Sequence, residues 1–205
     1  MCLMIKTNVL KIKKQIHSIC SKINKDPESI AIVAVTKGRT AEEIKEVIDA
    51  GITDIGENRV QEAISKYKQL QTPNSLPVRQ AGKLRTHMVG HLQTNKVKDA
   101  VKIFDLIQSV DSLRLLEEID RQAAKINKVQ DILIQVNTSG ESTKFGLNPD
   151  ETLDFIRKID KFKNIKIKGL MTIAPVVDDT EETRPYFRLL RELRDKINTL
   201  TTCGY

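Results

Sequence analysis

Ser29-IAIVAV-Thr36-Lys37-Gly38 is a short, almost wholly apolar run rich in β-branched side chains. Such a run suits a strand buried on both faces, as in a parallel sheet covered by its crossover helices. Just downstream, Ile44, Val47 and Ile48 recur at helical spacing and Gly51 supplies a C-terminal stop. The rhythm then repeats along the chain. Asp54 to Asn58 reads as a strand and Val60 to Leu70 as a helix. Thr86 to His91 is strand-like, and Asn95 to Lys102 is helical. Asp105 to Val110 is a strand, after which Asp111 is expected to cap a helix carrying Leu113, Leu116 and Ala123 on one face. Asp131 to Asn137 is the next strand. Its helix has Asn148 as cap, Pro149 at the first helical position and Glu151 where a capping box wants it. Ile165 to Ile173 reads as a sixth strand, and the last helix runs from Thr183 and Pro185 through Phe187, Leu190, Leu193 and Ile197.

Six strand-then-helix units in strict alternation imply a parallel sheet with helices outside. Upstream, Val9, Ile12, Ile16, Ile19 and Ile23 form one apolar stripe, so an extra N-terminal helix is expected to cover part of the repeat. Gln71 to Gly82, with two prolines and no period, reads as a long loop. A dinucleotide-binding sheet would want a glycine fingerprint after the first strand, and Thr36-Lys37-Gly38-Arg39-Thr40 offers a single glycine. A (β/α)8 barrel wants eight units and about 250 residues. Six units ending at Tyr205 read as one barrel domain over residues 1–205, cut short at its C-terminal end.

Composition narrows the function. The 205 residues are 40% hydrophobic and 30% charged, which suits one sizeable core and not a disordered chain. No membrane span or signal peptide is read. Three scattered cysteines (Cys2, Cys20, Cys203) make neither a disulfide framework nor a metal knuckle, and point to a reducing cytoplasm. The net charge of +7 invites a nucleic-acid reading. Lysines alternate with acids as on solvated helix faces, however, and aromatics are only 4%, so no nucleic-acid partner is expected.

In a parallel barrel, chemistry gathers at the C-terminal ends of the strands. Those ends carry Lys37, Glu57 and Asn58, His91, Ser109, Asn137 and Met171-Thr172. Lys37 stands out, because a lysine desolvated at a strand mouth has a lowered pKa and becomes a nucleophile toward a carbonyl. The alternative is a lysine whose stem snorkels to solvent. His87 and His91 are four apart, but on a strand they share no helical face, so no metal site is read. Glu57 and Glu62 are open to acid–base work or to a helix start. The loop between Gly140 and Gly146 is open to an anion cradle or to a plain surface turn.

The segments IAIVAVTKGRT, DIGENRVQEA, HMVGHLQTNK, DLIQSVDS, IQVNTSGESTKFGL, IKGLMTIAP and TRPYFRLLRELRD occur in order. Together, from about residue 6 to about residue 197, they resemble the pyridoxal 5′-phosphate homeostasis protein family, the YggS/PROSC family. The resemblance implies the alanine-racemase-type barrel without that enzyme's second domain. It implies pyridoxal phosphate (PLP) as cofactor, held as a Schiff base on the lysine that matches Lys37. The family's asparagine beside the cofactor matches Asn58, and residues near the ring correspond to His91 and Met171. The family continues with further strands that hold the phosphate, and nothing in Asn198-TLTTCGY-Tyr205 replaces them. The implied role is a monomeric carrier that limits the reactivity of PLP and supplies it to apo-enzymes. An amino-acid racemase and a truncated remnant with weak cofactor binding are the alternatives. Racemisation needs a second base, and Tyr67, Tyr186 and Tyr205 are the chain's only tyrosines.

Overall fold

The computed structural model describes residues 2–70, 84–159 and 161–200, with the side chains of 2 and 3 excluded. The loop expected over Gln71 to Gly82, and Cys203 and Tyr205, lie outside the described residues. The chain packs as two compact units, Met1–His87 and Met88–Tyr205.

The first unit opens with α1 (Cys2–Lys22), then a short 3-10 turn over Pro27–Ser29. It continues through β1 (Val33–Val35), α2 (Ala41–Asp49), β2 (Asp54–Glu57) and α3 (Val60–Leu70), and closes on β3 (Arg85–Met88), whose last residue begins the second unit. β1 and β2 pair in parallel, Val33 opposite Asp54 and Val35 opposite Gly56, and the strand order follows the chain, β1-β2-β3. The core between these strands and their helices holds Ala41, Ile44, Ile55 and Leu70, with Ile48, Tyr67 and Leu84 packed against it. Burying such side chains is worth about 1.5–3 kcal/mol each. α2 starts sharply because Thr40 and Glu43 form a reciprocal capping box, each side chain bonded to the other's backbone N–H.

In this unit one expectation fails and another holds only in part. β1 is half exposed, with Val35 at 47%, because it lies at the edge of its sheet and not between two strands. α1 forms and packs on α2 as expected, but its stripe is only partly covered. Ile12, Ile19 and Ile23 are exposed, and the helix contacts its surroundings through Cys20, the half-buried Val9 and Ile16, and a bond from Lys13 Nζ to the Gly51 carbonyl at 3.0 Å.

The second unit runs α4 (Val97–Ile103), β4 (Leu106–Val110), α5 (Leu113–Ala124), β5 (Gln130–Gln135), α6 (Pro149–Arg157), β6 (Ile165–Met171) and α7 (Arg184–Leu200). Its strands are again parallel and in chain order. Its core includes the fully buried Phe104, Ile107, Leu115, Leu116, Ile119, Ile132, Ile134 and Ile156. Asn148 caps α6 by accepting from the Asp150 N–H at 3.1 Å. Ser112, not Asp111, caps α5, accepting from the Leu115 N–H. Each of the six strands is thus followed by a helix, the α/β alternation of a barrel wall.

Candidate functional site

The sequence of β1 ends in a four-residue turn, Thr36-Lys37-Gly38-Arg39, closed by the Arg39 N–H on the Thr36 carbonyl at 3.0 Å. Gly38 has φ +68°, which its third position in the turn calls for and which a side chain resists. Lys37 therefore sits at the tip, and it is exposed. The burial expected of an amine ending an apolar strand is absent, because the edge strand beneath it is itself open. Lys37 reaches solvent from the turn, in the manner of the snorkelling alternative.

Thr36, by contrast, is buried. Its N–H donates to the Gly56 carbonyl at 2.8 Å and its hydroxyl to Glu57 Oε1 at 2.5 Å. Lys37 and Asn58 each lie two positions beyond the last paired residues, Val35 and Gly56, so both follow the C-terminal ends of neighbouring strands. Asn58 is half buried and among the described residues its Oδ1 has no hydrogen-bond partner; Glu57 is 0% exposed and its Oε2 has none there either. Unpaired buried acceptors cost free energy unless a donor reaches them.

Behind the turn stands Lys66 of α3, which sequence reasoning missed. It shares the buried face of that helix with Val60, Ala63 and Leu70, and a lysine on an otherwise apolar line is the signal that could have revealed it. Its ammonium donates to Glu57 Oε1 at 2.8 Å, Glu62 Oε1 at 2.6 Å and the Thr36 carbonyl at 2.5 Å. Burial works to lower the Lys66 pKa, but the bonds to Glu57 and Glu62 outweigh it and raise the value. Glu62 is held below the usual carboxylate range by the Lys66 bond and then by the Gly38 N–H. Glu62 thus has a bonding role, and neither Glu57 nor Glu62 is placed as a free acid or base.

The other expected residues belong to the second unit. Met171 ends β6, is buried, and its carbonyl accepts from the Val136 N–H at 2.8 Å. His91 stacks on Phe145 with ring centroids 3.7 Å apart and places Nδ1 3.6 Å from Asp111. Burial pushes the Asp111 carboxyl up, with the His91 charge opposing. The loop from Asn137 to Gly146 closes on itself, Asn137 bonding to Ser139, the Gly140 N–H and the Glu141 carbonyl. His87, in the first unit, is a buried structural histidine, 2.9 Å from Asp54. Among the described residues no group of three His, Cys, Asp or Glu is placed to hold a metal, and no helix is long and apolar enough to cross a membrane.

Parallel strands each followed by a helix, with an amine on the turn after the first strand, define an α/β chain with the strand–helix alternation of a barrel. The alanine racemase N-terminal domain model matches residues 8–203. A pyridoxal phosphate homeostasis protein of Aquifex aeolicus is 37% identical over 91% of this chain and 78% of its own length. One from Vibrio alginolyticus is 31% identical over 94% and 81%. The chain belongs to the alanine racemase N-terminal domain family and, within it, to the pyridoxal phosphate homeostasis proteins. Among solved structures, an unknown protein from Bifidobacterium adolescentis superposes with a TM-score of 0.89 at 34% identity, over 99% of this chain and 82% of that one. PipY of Synechococcus elongatus PCC7942, solved with PLP bound, gives 0.74 at 31%, over 90% and 82%. Alanine racemase from Bacillus anthracis shares the fold at 14% identity, with a TM-score of 0.72 over 99% of this chain and 48% of that one.

Proposed function

We propose that this chain binds pyridoxal phosphate reversibly at Lys37 and serves the cell as a carrier of that cofactor, limiting its free concentration and passing it to apo-enzymes. The observation that supports the site is the turn after β1, where an exposed primary amine follows the end of one strand while Asn58, whose buried oxygen lacks a donor among the described residues, follows the end of the strand paired with it. When bound, the cofactor supplies an aldehyde that a primary amine captures as a reversible Schiff base, and a phenolic hydroxyl and a protonated ring nitrogen that seek acceptors. The residues fit such a group. Lys37 is the amine, and Asn58 Oδ1 is an acceptor in want of a donor. His91 and Met171, in the second unit, are proposed as cofactor residues from the family resemblance alone; the His91 ring is stacked on Phe145. The family model runs across both units, which supports reading them as one domain. The family membership, with the PLP-bound PipY relative, supports the cofactor.

A carrier is favoured over a racemase because racemisation wants a second base, and among the described tyrosines Tyr67 lies within α3 and Tyr186 within α7, neither of them on a strand. A monomer in the cytoplasm is the setting that goes with this role. The test is a titration with pyridoxal phosphate followed in the visible spectrum, then borohydride reduction and peptide mapping. An adduct on Lys37 that Lys37→Ala removes is the expected result. An adduct mainly on Lys96 or Lys144 would sink the assignment. Adding each alanine enantiomer then separates carrier from enzyme: racemisation at roughly 1 per second or faster would refute the carrier role.

A further inference from the structure

The residues on either side of Lys37 are held by one ion pair. Lys66 Nζ donates to the carbonyl of Thr36, the residue before Lys37, at 2.5 Å. Glu62 Oε1 accepts the N–H of Gly38, the residue after it, at 2.6 Å. Lys66 and Glu62 are themselves bonded at 2.6 Å, one helical turn apart on α3. An ammonium has three donors, and Lys66 spends all three on Thr36, Glu57 and Glu62. The Lys66 end of the pair is shielded, its side chain 10% exposed, while Glu62 is partly open at 28%. Among the described residues Glu57 Oε2 has no hydrogen-bond partner, so the network is not fully bonded at Glu57.

We infer that Lys66 and Glu62 are positioning residues for Lys37. The Thr36–Arg39 turn contains a glycine with nothing within 4 Å of a notional side chain, and it crowns an edge strand. The Arg39 N–H closes the turn and Thr36 is tied to Gly56 and Glu57, but the Gly38 N–H at its tip is held by Glu62. The ion pair grips both peptide groups flanking Lys37 and so restricts the backbone from which the amine projects. A held amine meets an aldehyde in fewer orientations, and a wrongly held reactive group loses rate steeply with small displacements. The bonds are charge-assisted, the stronger class. α3 is then the element that orients the capture residue, although it contributes nothing that touches the cofactor. The competing account is an ion pair that merely fastens α3 to the end of β1.

This inference rests on the proposed capture of pyridoxal phosphate at Lys37, and two readouts keep the two apart. The first needs no cofactor: the hydrogen exchange of the Gly38 amide, followed by NMR. The second is the affinity for pyridoxal phosphate and the fraction of Lys37 trapped by borohydride. Glu62→Ala removes the acceptor from a partly exposed position, so the fold should persist, with circular dichroism and the melting temperature as checks. Glu62→Gln keeps an oxygen for Gly38 but loses the charge. Glu62→Ala should speed Gly38 exchange and weaken binding by about tenfold, with Glu62→Gln between it and the parent chain in both readouts. Faster exchange with unchanged binding would leave only the fastening role and overturn the inference, as would unchanged exchange. A double variant, Glu57→Gln with Lys66→Met, removes the buried charges together and should reproduce the loss of trapping; full trapping there also overturns it. If the parent chain itself forms no Lys37 adduct, the functional reading fails first and this inference falls with it.

Discussion

Gly146 has φ +124°, and a Cβ built on it would stand 2.7 Å from the Asn137 backbone nitrogen and 2.9 Å from the Val136 carbonyl carbon. Neither neighbour is a flexible side chain, so the backbone itself would have to move. Gly146→Ala should cost about 2–4 kcal/mol through strain and overpacking together, read as a lower urea midpoint at unchanged slope. Asp111 carries a different liability. Its carboxyl is pushed up by burial, so the native state takes up a proton more readily than the unfolded chain. Between the ordinary aspartate value, about 3.9, and the raised one, the folded state holds the extra proton, and stability falls as pH rises through that interval. Asp111→Asn has no such titration. Urea midpoints at pH 4 and pH 7 should show the parent chain losing ground to the variant at the higher pH. A parent whose relative stability rises instead would contradict the burial argument.

At the scale of elements, α2 owes its sharp start to the box between Thr40 and Glu43. Thr40→Ala removes the side-chain acceptor for Glu43 and should cost about 1 kcal/mol, measurable by thermal or urea unfolding. The sequence did not mark that box: it was expected at Asn148 and Glu151, where Asn148 does cap but bonds to Asp150. Helix bounds were the most legible feature, with Val60 to Leu70 matching α3 end for end, because apolar spacing of three and four resists accidental imitation. β1 was legible as a strand and misleading as to burial. An apolar run says that a strand exists, whereas the number of neighbours it has depends on the sheet order. α1 is covered only in part for the same reason: its stripe at Ile12, Ile19 and Ile23 was visible, but what packs against a stripe is a property of tertiary structure. The site divides along the same line. Lys37 and Asn58, the proposed site, stood out in the sequence at strand ends. Glu62 was visible only as a candidate acid or a helix-start residue, and Lys66 was hidden, because a Glu–Lys pair four apart usually marks a solvated helix face.

For the whole molecule, binding at Lys37 must appear as stability, since a ligand that prefers the folded state raises the free energy of unfolding by mass action. At a free pyridoxal phosphate concentration a hundredfold above the dissociation constant, the gain is about 2.7 kcal/mol. In a chain of this size each kcal/mol moves the melting temperature by about 2–4 °C, so a rise of about 5–10 °C is expected. The rise should grow with the logarithm of ligand concentration once the site is filled, which separates capture at a folded site from random modification of the chain's many lysines. Random modification acts on folded and unfolded chains alike and leaves the melting temperature flat or lower. Lys37→Ala should abolish the rise while leaving the ligand-free melting temperature within about 1 °C of the parent, because an exposed side chain at the tip of a turn contributes little to the fold. A concentration-dependent rise that survives Lys37→Ala would place the dominant binding site elsewhere and would end the assignment of Lys37.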